Sequence, residues 1–181
     1  MEINDNRIYL IGYMGSGKTT IGAKLAKKLG FEFIDVDHFI ENRQRKTISK
    51  IFSEKGEDAF RLVEHNALKE IALFENVVIS TGGGAPCFYD NMELMNKSGF
   101  TVYLKTSPEE LTKRLSIAKS QRPLLKDKTT EEMQTFIAEN LEKRNYYYNQ
   151  ARLIFDAEQM LTETDVDNIV KNLILYLPQN K

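Results

Sequence analysis

Short apolar runs alternate along this chain with longer stretches whose apolar residues recur every three or four positions. The runs at 7–11, 33–35, 77–80, 100–104 and 153–155 are too short for helices, and most carry β-branched or aromatic residues, so they predict strands. In 18–29, Ile21, Leu25 and Leu29 return every fourth residue. In 57–74, Phe60, Val63, Ala67, Ile71 and Phe74 make one apolar stripe. Met133, Phe136, Ile137 and Leu141 mark a further helix, and Val166, Ile169, Val170 and Leu173 mark the last. Ser107-Pro108-Glu109-Glu110 and Thr129-Thr130-Glu131-Glu132 both have capping-box spacing, the first with proline at the first helical position. Gly30, just past Leu29, is placed to end the first helix in a left-handed conformation.

Strands alternating with amphipathic helices imply βαβ units, hence an α/β fold with a five-stranded parallel sheet flanked by helices on both faces. The 181 residues suit a single domain spanning 1–181. Residues 116–128 are polar and basic, hold Arg122-Pro123 and follow neither period, so they read as a mobile loop between two helices. Residues 178–181 read as a frayed tail.

The charge balance, 25 basic against 26 acidic residues, gives no electrostatic footprint for nucleic acid or an anionic membrane. The basic cluster Arg43, Arg45, Lys46 and Lys50 is explained by a solvated helix face. One cysteine, Cys87, allows no intramolecular disulfide and reads as a small buried residue. His38 and His65 lack metal-ligand spacing and read as helix-surface residues. The first residues lack the basic and apolar regions of a signal peptide, and no apolar run reaches the roughly 20 residues that span a bilayer. A cytoplasmic chain is expected, and a monomer, since no heptad seam is visible.

Chemistry enters most clearly at Gly12-Tyr13-Met14-Gly15-Ser16-Gly17-Lys18-Thr19, which fits G-x-x-x-x-G-K-[ST] between a strand and a helix. Glycines let successive backbone N–H groups turn toward one phosphate, and the following helix adds its positive end. Lys18 supplies a charge for the β- and γ-phosphates, and Thr19 a hard oxygen for Mg²⁺. The second strand ends in Asp35-Val36-Asp37, two carboxylates on one side if the strand persists. Asp37 serves equally well as a helix cap for 38–43. The strand at 77–80 lacks a terminal aspartate and runs into Gly82-Gly83-Gly84, where a ligand can approach the backbone closely. Asp35 is therefore available to the metal shell. Arg61, Arg122 and Arg144 present forks that match carboxylate or phosphate, although Glu57 and Glu64 would give Arg61 a surface ion pair. Tyr146, Tyr147 and Tyr148 cannot share one helix face, so at least one of them only packs.

In combination these pieces resemble the shikimate kinase family. The matching segments are 12–19, 35–37, Ile48 to Phe52 leading to Gly56-Glu57, Phe60-Arg61 with Glu64, 81–84, Arg122-Pro123-Leu124-Leu125, and Arg144 with Tyr147. The resemblance implies a three-layer P-loop NTPase fold with a substrate-binding region at about 37–64 and a mobile lid at about 116–128. It implies transfer of the ATP γ-phosphate to the 3-hydroxyl of shikimate, in the aromatic amino acid pathway. By the same resemblance Gly15, Ser16, Gly17, Lys18, Thr19 and Thr20 hold the ATP phosphates, and Arg122 closes over them. Thr19 ligates Mg²⁺ and Asp35 reaches it through water. Asp37 binds the ring hydroxyls and orients or deprotonates the nucleophile, which makes Asp37, Lys18 and Arg122 the catalytic set. Arg61 and Arg144 grip the substrate carboxylate, Glu64 orients Arg61, and Gly82, Gly83 and Gly84 offer backbone to the acceptor. Arg114 lies near the family's adenine-stacking arginine. The sequence departs from the pattern where Arg45-Lys46 precede Thr47-Ile48, a place where the family usually carries a glycine, and after Phe155, where no adenine contact is assigned. Another small-molecule P-loop kinase, such as a gluconate kinase, and a non-catalytic nucleotide-binding module are the alternatives. A nucleoside monophosphate kinase fits the acceptor side less well.

Overall fold

The computed structural model describes residues 6–117, 128–160 and 162–178. Five parallel strands, β1 (Arg7–Ile11), β2 (Glu32–Asp35), β3 (Val77–Ser80), β4 (Phe100–Lys105) and β5 (Leu153–Asp156), form one sheet in the order β2-β3-β1-β4-β5. All five expected runs are strands. Central β1 and β3 are buried along their whole length, whereas edge strands β2 and β5 are half exposed.

Alternation along each strand divides the core. Ile8 and Leu10 of β1, Val78 of β3, and Val102 and Leu104 of β4 point to one face. There they meet Ile21 and Leu25 of α1 (Lys18–Leu29) and Val166, Val170 and Leu173 of α7 (Glu163–Tyr176). Tyr9, Ile11, Ile79 and Tyr103 point the other way. That face is covered by α3 (Ile48–Ile71), α4 (Asn91–Ser98), α5 (Pro108–Ile117) and α6 (Thr130–Tyr148), with α2 (Val36–Gln44) beside them. Each fully buried aliphatic side chain contributes about 1.5–3 kcal/mol, so the two apolar layers dominate the stability of the fold.

The helix ends follow local chemistry, with two differences from expectation. Gly30 adopts φ 70° and donates its N–H to Ala26 O, closing α1. Thr129 and Glu132 form a reciprocal capping box on α6. Ser107 accepts from the Glu110 N–H at 3.2 Å, but Glu110 turns away to Arg114 and the Ser107 N–H is given to Glu158. The box on α5 is therefore half formed. α3 begins at Ile48, nine residues before the expected start, and bends at Gly56 (φ 77°, ψ 177°). It ends at Ile71, so Phe74 lies beyond the helix, and its carbonyl accepts from Arg7 Nε at 2.7 Å.

The basic cluster is partly paired, Arg43 with Glu70 and Lys46 with Glu54. Among the described residues no helix is long and apolar enough to cross a membrane.

Candidate active site

The sheet order sets β2, β3 and β1 side by side, so the loops leaving their carboxyl ends gather at one edge, where open α/β sheets bind ligands. After β1 the chain turns through Gly12 (φ 144°), Gly15 (φ 84°) and Gly17 (φ 91°), a backbone that side-chain-bearing residues rarely adopt. Lys18, at the start of α1, is almost fully buried, and its Nζ donates to the carbonyls of Gly12 and Tyr13, both at 2.9 Å. This arrangement holds the lysine across the mouth of the loop. Ser16 lies beneath Gly12 with its hydroxyl buried, and not on the cleft.

β2 stops at Asp35 and α2 begins at Val36, so Asp35 and Asp37 do not share a continued strand. The cap is Asp35: its Oδ1 accepts from the N–H groups of Asp37 at 3.1 Å and His38 at 3.4 Å. Its other oxygen accepts from the Thr19 hydroxyl at 2.9 Å, with Ser80 Oγ 3.5 Å from Thr19 Oγ1. Asp37, released from capping, turns into the cleft. Burial there pushes its carboxyl above the usual aspartate range, Asp35 pushes the same way and Lys18 opposes them.

Arg61, on α3, lies between two glutamates, with Glu57 at 2.9 Å and Glu64 at 2.9 Å. The pairs expected at helical spacing exist; the one with Glu57 reaches the surface, where Glu57 is 56% exposed, but the one with Glu64 is buried, with the Arg61 side chain 12% exposed and that of Glu64 1%. The guanidinium also sits 4.2 Å from the Phe88 ring centre. Glu64 spends one oxygen on Arg61, while its Oε1 is buried without a hydrogen-bond partner. Burial pushes its carboxyl upward, and Arg61 works against that push. Arg144, near the end of α6, stands 5.1 Å from the Tyr13 ring centre.

The resulting cleft is about 520 Å³ and brings together Gly15, Gly17, Lys18, Thr19, Thr20, Asp35, Asp37, Arg61, Glu64, Gly82, Gly83, Gly84 and Arg144. That volume lies in the usual range for small-ligand sites. Its lining combines the glycine-rich loop and Lys18, the carboxylates of Asp35 and Asp37, two guanidiniums, and the apolar side chains of Ile48, Phe52 and Phe60.

The shikimate kinase family model matches residues 14–174. A shikimate kinase of Parabacteroides distasonis is 59% identical over 171 residues, covering 94% of this chain and 99% of that protein. The chain belongs to the shikimate kinase family. A shikimate kinase structure from Bacteroides thetaiotaomicron superposes with a TM-score of 0.91 at 52% identity, covering 94% of this chain and 97% of that one. The Acinetobacter baumannii shikimate kinase, solved in complex with shikimate, superposes with a TM-score of 0.80 at 36% identity, covering 94% and 92%.

Two parts of this shikimate kinase site carried little sequence signal. Tyr148 is fully buried, and its hydroxyl donates to Gly83 O at 2.5 Å, whereas Tyr146 is exposed. The stretch after β5 returns to the phosphate loop: a Cβ on Gly17 would lie 2.5 Å from Met160 Sδ. Arg114 ties these parts together, donating to Ala157 O at 2.8 Å, Glu158 O at 2.6 Å and Gly15 O at 3.4 Å. Arg122 and Leu124-Leu125 fall outside the described residues.

His65 is buried rather than on a surface, because α4 packs over it: Nδ1 is 2.7 Å from Asn91 Oδ1 and the ring stacks on Tyr89 at 4.9 Å. Cys87 is half-buried, and burial pushes its thiol up to about 11. At neutral pH it is an unreactive thiol. Among the described residues no three His, Cys, Asp or Glu side chains cluster as metal ligands. The neighbouring hard oxygens of Thr19, Asp35 and Ser80 instead suit a magnesium ion that keeps water and substrate phosphate in its shell.

Proposed function

We propose that this cleft transfers the γ-phosphate of ATP to the 3-hydroxyl of shikimate, giving shikimate 3-phosphate and ADP. The observation that carries the reading is the convergence on one cavity of Lys18, Asp37, Arg61 and Arg144, from four separate segments. A nucleotide-binding module alone would not need a buried carboxylate and two guanidiniums opposite its phosphate loop.

Arg61 and Arg144 bind the shikimate carboxylate, and the Gly82–84 backbone lies along the ring. Asp37 accepts a hydrogen bond from the reacting hydroxyl. As that oxygen attacks the γ-phosphorus, the bond to the bridging β–γ oxygen breaks, ADP leaves, and the hydroxyl proton passes to Asp37. A pKa raised above the ordinary aspartate range makes Asp37 a better proton acceptor. The phosphate-loop N–H groups and Lys18 offset charge on the transferred group, with Arg122 added by resemblance. Thr19 would hold Mg²⁺ directly and Asp35 through water. When bound, Mg²⁺ would supply positive charge that offsets the charge developing on the transferred phosphate.

The test is an ADP-release assay of the purified chain with ATP, Mg²⁺ and one of three acceptors: shikimate, gluconate or AMP. Turnover with shikimate alone supports the reading. Turnover with gluconate or AMP in its place, or ATP binding with no acceptor turned over, would overturn it.

A further inference from the structure

We propose that Tyr148 is a positioning residue for the acceptor: its hydroxyl holds the Gly83 carbonyl in place beside the Arg144 guanidinium. Tyr148 lies four residues after Arg144 in α6, so the two side chains share a face of the helix. Its ring is fully buried and packs on Tyr103 with centres 4.9 Å apart. Its O–H donates to Gly83 O at 2.5 Å. The Arg144 guanidinium lies beside the same oxygen. The direction of the bond to Gly83 is fixed by the partner, because a carbonyl accepts and cannot donate.

The contact joins two elements far apart in sequence. Gly83 follows β3, and a Cβ there would lie 3.5 Å from Arg144 Nη1 and 3.3 Å from the Met14 nitrogen. The Tyr148 hydroxyl thus holds in place a glycine that lines the cleft beside an arginine fork. On the far side, the Tyr13 ring limits how the guanidinium can turn. Burial pushes the Tyr148 phenol upward, with Arg144 opposing, so the hydroxyl stays protonated and remains a donor.

This inference rests on Arg144 being a carboxylate anchor, and the test separates the two. Tyr148→Phe, Arg144→Ala and the double variant are made in the full chain, and kcat and KM for shikimate and for ATP are measured. Tyr148→Phe removes one oxygen and keeps the packed ring. It is expected to raise the shikimate KM about tenfold, the usual scale for removing a group that orients a binding residue, with the ATP KM unchanged. A loss of folded enzyme would instead lower apparent kcat and leave both KM values alone. Because both residues act on one path, the double variant should match Arg144→Ala. The shikimate-induced rise in Tm gives a second reading and should shrink in Tyr148→Phe. If Arg144→Ala raises the shikimate KM and Tyr148→Phe leaves it at the wild-type value, the positioning role is overturned while the anchor stands. If Arg144→Ala changes nothing, anchor and positioning role fall together.

Discussion

A Cβ added to Gly84 would lie 2.8 Å from Nη2 of Arg61, closer than real carbon and nitrogen atoms approach. Gly82 stands in the same relation to Glu64, with Oε1 2.6 Å from its Cβ position. Neither glycine has a positive φ. They are needed for the room they leave to the Arg61–Glu64 pair and not for a special backbone. Gly84→Ala should therefore act as an Arg61 mutation at a distance. We expect the shikimate KM to rise at least about tenfold, since a displaced member of a buried charge pair costs on the order of 2–5 kcal/mol, with the ATP KM little changed. An unaltered shikimate KM would show that Arg61 can retreat without leaving the acceptor.

Asp37 sets activity against stability. Its carboxyl is raised above the aspartate range, first by burial and then by Asp35. A raised native pKa means that the stability present below the unfolded-state pKa is lost as pH rises through the native pKa. Above its native pKa the charged Asp37 is thus a burden on the fold. Asp37→Asn should lower kcat by about 100-fold or more while melting at a higher temperature than wild type at pH 7. That gap should narrow as pH falls toward the acidic range, where Asp37 is protonated in both states. Melting curves from pH 4 to pH 8 check the sign, and a variant less stable than wild type at pH 7 contradicts it.

Much of this was legible in the chain because the relevant signals are local. The strands are short apolar runs with no competing helical period, and the phosphate loop is contiguous in sequence. The Arg61 pairs with Glu57 and Glu64 follow from helical spacing, but the burial of the Glu64 pair does not, since it depends on Phe88 and Gly84 arriving from another loop. His65 was misread for the same reason: Asn91 and Tyr89, which cover it, lie more than twenty residues away. The first turns of α3 were missed because Gly56 interrupts the helix and made Glu57 resemble its start. Met160 carries no local mark of its place against Gly17. Tyr148 could have been singled out among its neighbours, because only it falls four residues after Arg144.

Asp35 has two separable duties, capping α2 and accepting from Thr19. Asparagine caps nearly as well as aspartate but carries no charge for a metal shell. Asp35→Asn should keep a near wild-type Tm and raise the Mg²⁺ concentration for half-maximal rate about tenfold, as for other residues that hold a metal site indirectly. Asp35→Ala should show the same Mg²⁺ effect and lose about 1 kcal/mol of stability through the missing cap. Unchanged Mg²⁺ dependence in both variants would remove Asp35 from the metal shell.

Arg45, in the turn before Thr47-Ile48, adopts φ 51°, ψ 36° as the C-cap of α2. Its N–H closes the helix by donating to Glu41 O, and its side chain is exposed. A left-handed conformation costs a residue with a Cβ about 1–2 kcal/mol. Glycine would relieve that strain, at the expense of about 0.4–1 kcal/mol of extra unfolded-state entropy. Arg45→Gly should therefore stabilise the fold modestly, by about 0.5–1 kcal/mol as the difference of those terms. Because the turn joins α2 to α3 without lining the cleft, kcat and both KM values should be unaffected. Urea denaturation of the two proteins measures the difference directly. A midpoint at or below wild type would mean that Arg45 makes favourable contacts that outweigh its backbone strain.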